Sequence, residues 1–227
     1  MYYPMYDSTF ILLIPAILLS LWAQFKVQGN FNKYSKVYSR SGITGAQVAK
    51  KLLELNGITD VAVAATQGSL TDHYHPTKKT VFLSETVYGE STISAIAVAA
   101  HECGHAIQHN VGYTPLTIRS MLVPVANIGS YASWILLIAG LAFSWDPLVQ
   151  IGILLFSCVV LFQVVTLPVE FNASSRALQQ LSYYGILAND EIQGGKKVLS
   201  AAAWTYVAAA VMAILQLLRL IMIFRRD

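Results

Sequence analysis

The chain has 227 residues, 55% of them hydrophobic and only 12% charged, with a formal net charge of +3. That is too apolar for an ordinary soluble domain. The modest charge is not gathered into the basic patch a nucleic-acid binder carries. The two cysteines, Cys103 and Cys158, lack the spacing of a disulfide framework or a metal knuckle and read as small buried hydrophobes.

In chain order, residues 8–25 form a first apolar stretch close to the ~20 residues that a bilayer span needs. No lysine or arginine precedes it and no small-x-small cleavage site follows, so it reads as a retained anchor, with a kink at Pro15. Residues 26–120 read as a small α+β domain. Thr44-Gly45-Ala46-Gln47 is a capping box opening a helix with apolar Val48, Leu52, Leu53 and Leu55, and Asn56-Gly57 closes it. Val61–Ala65 and Thr80–Leu83 are β-prone runs separated by the polar loop Thr71-Asp72-His73-Tyr74-His75-Pro76. Thr80–Ser84 is the candidate edge strand for holding an extended peptide by strand addition, and reads equally as an ordinary half-buried strand.

Glu90-Ser91-Thr92 then opens a helix that ends near Asn110-Val111-Gly112 and contains His101-Glu102-Cys103-Gly104-His105. On a helix the two histidines project from one face about 6 Å apart along the axis, so both can reach one zinc ion. Glu102 lies a further ~100° round, beside the metal, in the position of a general base. This H-E-x-x-H pattern is a zinc peptidase signature. Gly104 reads as a point of close helix packing.

Three more apolar segments follow: about 121–143 and 148–169, joined as a hairpin through Ser144-Trp145-Asp146-Pro147, and about 201–224. Lysines and arginines concentrate in 26–120 and again at Arg176, Lys196 and Lys197, which places both segments in the cytoplasm and Met1 and Asp146 outside. Arg225 and Arg226 then fall outside, against that rule; either they are tolerated or the last segment lies in the interface. The sequence therefore divides into an anchor (8–25), a zincin-like domain (26–120), a membrane hairpin (121–169), a helix (170–200) and a last span (201–224). The expected fold class is a mainly α-helical integral membrane protein with about four transmembrane helices and a small α+β zincin-like cytoplasmic domain.

A catalytic zinc needs a third protein ligand. His109 extends the histidine face but lies about 12 Å along the axis from His101, so it reads as a surface residue or as support for a ligand. His73 and His75 sit in a polar loop where solvated histidines are ordinary. Asp190 and Glu191 are explained by helix capping. Glu170 directly follows the third span and begins a helical run; two spans separate it from His105, which returns it to the same side. His101, His105 and Glu170 are the candidate zinc ligands. Arg176, His73, Tyr74 and Tyr183 are candidates to stabilise an oxyanion, although an arginine at a membrane boundary also snorkels to phosphates.

The nine residues from His101 to His109, Leu70-Thr71-Asp72-His73-Tyr74 upstream and Pro168-Val169-Glu170-Phe171-Asn172-Ala173-Ser174 downstream resemble the YugP-type neutral zinc metallopeptidases of bacterial membranes. The resemblance covers nearly the whole length. More distantly the chain is similar to the HtpX and CAAX prenyl proteases, which carry H-E-x-x-H and a later E-x-x-A-D. It implies Glu170 as third ligand, Zn2+ as cofactor and Glu102 as catalytic base. It further implies a membrane-embedded endopeptidase acting on protein or peptide substrates at the cytoplasmic face of a bacterial membrane. Ser174 stands where those relatives carry an aspartate that orients a ligating histidine, and Asn172 is a candidate to share that task. Two alternatives stay open: a catalytically silent zinc-containing membrane scaffold or chaperone-like protein, and the same chemistry with the site outside. Substrate, regulatory partners and oligomeric state are not encoded legibly.

Overall fold

The computed structural model describes residues 8–224. A 3-10 turn at Ser8–Leu13 leads into α1 (Ile14–Tyr34), followed by α2 (Gly45–Leu55), β1 (Ala62–Thr66), β2 (His73–His75), β3 (Thr80–Ser84) and α3 (Glu85–Gly89). Then come α4 (Ile93–Asn110), α5 (Thr114–Ala142), α6 (Asp146–Tyr183) and α7 (Asn189–Phe224). The fold is mostly helical. Four helices are long and apolar enough to cross a membrane: Thr9–Tyr34, Thr114–Ala142, Asp146–Tyr183 and Asn189–Phe224. Met1, Arg225 and Arg226, used above for orientation, lie outside the described residues.

Contacts divide the chain into two units. Among the described residues, one comprises 8–23, 118–167 and 205–224, and the other comprises 24–117 and 168–204. The expected helix over 170–200 is instead the end of α6 and the start of α7, separated by a turn in which Gly185 adopts φ +61°. Glu170 does not begin a helix either. α6 runs unbroken through Pro168, and the expected boundaries at 169 and 200 fall inside α6 and α7.

In the first unit α5 and α6 form the hairpin. Its glycines are places where helices touch: a Cβ on Gly129 would lie 3.1 Å from the Leu155 carbonyl oxygen, and one on Gly152 3.0 Å from that of Ser133. Small residues serve this purpose in membrane helices, where packing replaces the hydrophobic effect. Leu137, Val149, Phe156 and Leu220 form its buried apolar cluster. Ser144 takes φ +51° at the tip, and the Trp145 N–H closes onto the Gly140 carbonyl at 2.8 Å. Pro15 falls in the first turn of α1, where no helical N–H is required of it, rather than at a kink.

The second unit is built on α2, the sheet and α4. Thr44 caps α2 by accepting the Gln47 N–H, and the Gln47 side chain accepts the Thr44 N–H at 2.8 Å. Gly57 turns the chain out at φ +68°. Val48, Leu52 and Leu53 are buried as expected, but Leu55, on the last turn, is exposed. Thr92 caps α4, accepting from the Ala95 N–H. Cys103, on the face opposite the histidines, is fully buried against α2, and its burial holds the thiol well above the usual cysteine range.

The sheet has three strands in the order β1-β3-β2, with β1 and β3 parallel and β2 and β3 antiparallel. This corrects two expectations. The polar loop 71–76 contains a strand, β2, too short and too rich in histidine to reveal itself by alternation. And Thr80–Ser84 is the central strand with both edges paired, so it cannot accept a peptide. β1 and β2 are the edges. Asp72 secures the entry to β2: its carboxylate accepts the Ser84 N–H at 2.7 Å and the Ser84 hydroxyl at 3.0 Å.

Candidate metal centre

α4 presents the motif on its buried side. His101 is half-buried, whereas Glu102 and His105 are buried. Glu170 reaches them from α6. The helices approach closely because Gly104 lies against Ala173: a Cβ at position 104 would stand 2.7 Å from the Ala173 carbonyl oxygen. A reciprocal amide pair, Asn56 with Gln180 at 2.9 Å in both directions, fastens the end of α2 to α6.

The three expected ligands converge. Glu170 Oε2 is 3.3 Å from His101 Nε2 and 3.6 Å from His105 Nε2, and the three ligand atoms all lie within 4.8 Å of one another. For Zn–N and Zn–O bonds near 2.0–2.1 Å, neighbouring donors on a tetrahedron stand about 3.3 Å apart. Two imidazoles and one carboxylate at these spacings are a donor set that fits zinc. Burial alone works to lower the His105 pKa, but the Glu170 and Glu102 carboxylates outweigh it and raise it, so the site attracts positive charge.

Both ring nitrogens facing away from the centre are engaged. His101 Nδ1 is 3.1 Å from the Ser174 hydroxyl, and His105 Nδ1 is 3.0 Å from Gln108 Oε1. Ser174 thus contacts a candidate ligand through a hydroxyl. Asn172 does not touch one; its Oδ1 accepts from Gln108 Nε2 at 3.0 Å and from Arg176 Nε at 2.7 Å. Gln108, fully buried one turn after His105, is a site neighbour that the sequence alone does not single out.

Glu102 is adjacent to His101 in sequence but lies outside the group of three candidate ligands. Its Oε2 accepts the Tyr74 backbone N–H of β2 at 2.9 Å. The Tyr74 phenol turns along α4 to His109 Nδ1 at 2.8 Å, and burial, then the charge of Asp60, raise its pKa. His109 thus bonds Tyr74 and stands outside the His101–His105–Glu170 group. His73 is exposed, stacked on Phe82 at 5.0 Å, with Nδ1 2.8 Å from the Thr71 carbonyl; His75 accepts the Lys78 N–H. Tyr183 is 81% exposed and packs on Tyr184. Glu191 accepts the Ala188 N–H at the start of α7 at 2.8 Å, the capping role expected of it, and also the Arg40 N–H at 2.8 Å, whereas Asp190 pairs with the Arg40 side chain at 2.5 Å.

No solved structure matches the chain. It is 52% identical over 213 residues to the "Putative membrane protease YugP" of Bacillus subtilis (strain 168), covering 94% of this chain and 95% of that protein. Residues 9–225 match the family described as "Putative neutral zinc metallopeptidase". With a family match over nearly its whole length, the chain belongs to that zinc metallopeptidase family.

Proposed function

We propose that the chain is a membrane-embedded zinc endopeptidase of the H-E-x-x-H…E type, with its site at the cytoplasmic face. The observation that carries this reading is the convergence of His101, His105 and Glu170 within 4.8 Å, with Glu102 beside them. A zinc ion held by those three supplies a Lewis acid that makes water nucleophilic near neutral pH and polarises the scissile carbonyl.

Glu102 takes the proton from the attacking water and returns it to the leaving amine. Tyr74 N–H holds Oε2 in place, leaving Oε1 to carry the proton. Tyr74 also orients the substrate. It pairs with Val81 across an antiparallel ladder, and its N–H turns away from β3 to Glu102. In such a ladder the N–H and C=O of one residue point the same way, so the Tyr74 carbonyl is offered at the free edge of β2. An extended peptide adding to that edge would lie with its backbone beside Glu102. β2 thus takes the part expected of Thr80–Ser84. The cytoplasmic placement is supported by the lysines and arginines of 26–120 and by Arg176, Lys196 and Lys197.

The test is Glu102→Gln in purified, detergent-solubilised protein. Peptide hydrolysis is expected to fall by about 10²–10⁴-fold, the contribution of a positioned acid–base group, with zinc content unchanged. A zinc-replete Glu102→Gln protein that cleaves as fast as wild type contradicts a peptidase and favours a scaffold that merely contains the metal.

A further inference from the structure

We infer that Gln108 is a positioning residue that fixes which ring nitrogen of His105 is free to bind metal, and that Arg176 stands at the far end of the same hydrogen-bonded chain. The inference rests on the zinc reading above for the identity of the ion, while its polarity argument comes from fixed donors and acceptors.

A guanidinium has donors only. Arg176 Nε lies 2.7 Å from Asn172, so the oxygen of that amide, not its NH2, must face the arginine. The same oxygen lies 3.0 Å from Gln108, and the Val169 backbone carbonyl, which can only accept, lies 2.8 Å from it. Two acceptors therefore turn the Gln108 NH2 toward α6. Its carbonyl oxygen is left facing α4, 3.0 Å from His105 Nδ1. That oxygen only accepts, so Nδ1 carries a hydrogen, and in the neutral imidazole Nε2 is the bare nitrogen. Nε2 is the atom that faces Glu170, at 3.6 Å.

Burial makes this arrangement strict. Gln108 is 0% exposed, so its amide has no water to turn toward. The two ligand histidines are consequently held differently. The Ser174 hydroxyl against His101 can rotate to donate or accept, whereas the Gln108 amide is pinned at its other end by α6. This places the Arg176 Nε–H in the hydrogen-bonded chain that orients His105.

Two variants separate the inference from simple packing: Gln108→Met, which keeps the length and loses the polarity, and Asn172→Asp, which keeps an acceptor for both Arg176 and Gln108. Zinc affinity of the full chain in detergent is measured by chelator competition, with the visible spectrum of the cobalt-substituted protein and the unfolding midpoint of the metal-free protein. Gln108→Met is expected to bind zinc about 10- to 100-fold more weakly with altered cobalt bands, and Asn172→Asp to stay within about threefold of wild type with unchanged bands. Wild-type affinity in Gln108→Met overturns the inference. So does an Asn172→Asp protein with disturbed cobalt bands and lost affinity, which decides the matter even if Gln108→Met does not fold. The reading beneath it is tested separately: wild type taking up no more zinc than His101→Ala overturns the metal site itself.

Discussion

Gly104 of α4 and Ala173 of α6 touch without side chains between them: a Cβ on Gly104 would stand 2.7 Å from the Ala173 carbonyl oxygen and 3.1 Å from its Cα. One residue of contact thereby couples helix packing to metal chemistry, because His101 and His105 flank Gly104, and Glu170 and Ser174 flank Ala173.

Gly104→Ala is therefore expected to push apart the two helices that carry the candidate ligands. Overpacking at such a site costs about 1–3 kcal/mol, and zinc affinity should fall with stability. Gly29→Ala in α1 is the control, since nothing lies within 4 Å of its Cβ. Thermal unfolding and zinc titration of both variants check this; a Gly104→Ala protein that matches wild type in both measurements argues against a close-contact requirement.

Removing one ligand should expose the division of labour at the centre. Glu170→Ala and His105→Ala are each expected to lose stoichiometric zinc after dialysis, whereas Glu102→Gln keeps it. A chelator should abolish wild-type hydrolysis and added zinc restore it. Metal analysis of the dialysed proteins reads the outcome directly, and full zinc in Glu170→Ala would show that α6 does not supply a ligand.

Thr44 caps α2 through its side chain. Thr44→Ala should destabilise the protein by about 1 kcal/mol through the lost cap, without affecting zinc binding, because the cap lies at the opposite end of α2 from the Asn56–Gln180 link to α6. The unfolding midpoint and a zinc titration test the two halves of that statement.

Asp72 links local structure to pH. Burial raises its pKa above the ordinary aspartate value of 3.8, and the Ser84 hydrogen bonds only partly oppose this. A carboxyl whose folded pKa exceeds its unfolded one binds more protons when folded, so stability is lost as pH rises through the window from about 3.8 upward to the folded value. Asp72→Asn carries no such loss and keeps an oxygen for the Ser84 N–H. Relative to wild type, the variant should gain stability as pH rises through that window and level off above it, which unfolding curves at several pH values would reveal.

What the sequence made legible followed from local rules. Thr44–Gln47 and Thr92 announced the helix starts they cap, and the spacing of His101 and His105 placed both rings on one face. Glu170 could be singled out by type and by counting spans. The parts that stayed hidden depend on distant partners. β2 is three residues long and is defined only by its pairing with β3, so the sequence points to Thr80–Ser84 and not to β2 as the edge strand. The Gln108 role depends on Val169 and Asn172, more than sixty residues away, and no local pattern reports such a meeting. Apolar composition marks only part of each long helix: α6 runs past the apolar stretch ending near 169 to Tyr183, and α7 begins at Asn189, ahead of the apolar stretch that starts near 201.

The central claim is that α4 and α6 together hold one zinc ion beside Glu102. Anomalous scattering at the zinc edge from crystals of the wild-type protein tests it most directly. The account requires one peak per chain about 2.0–2.2 Å from His101 Nε2, His105 Nε2 and a Glu170 oxygen, with Glu102 adjacent and unbonded. No peak there, or a peak held instead by His73, His75 or His109, would contradict it.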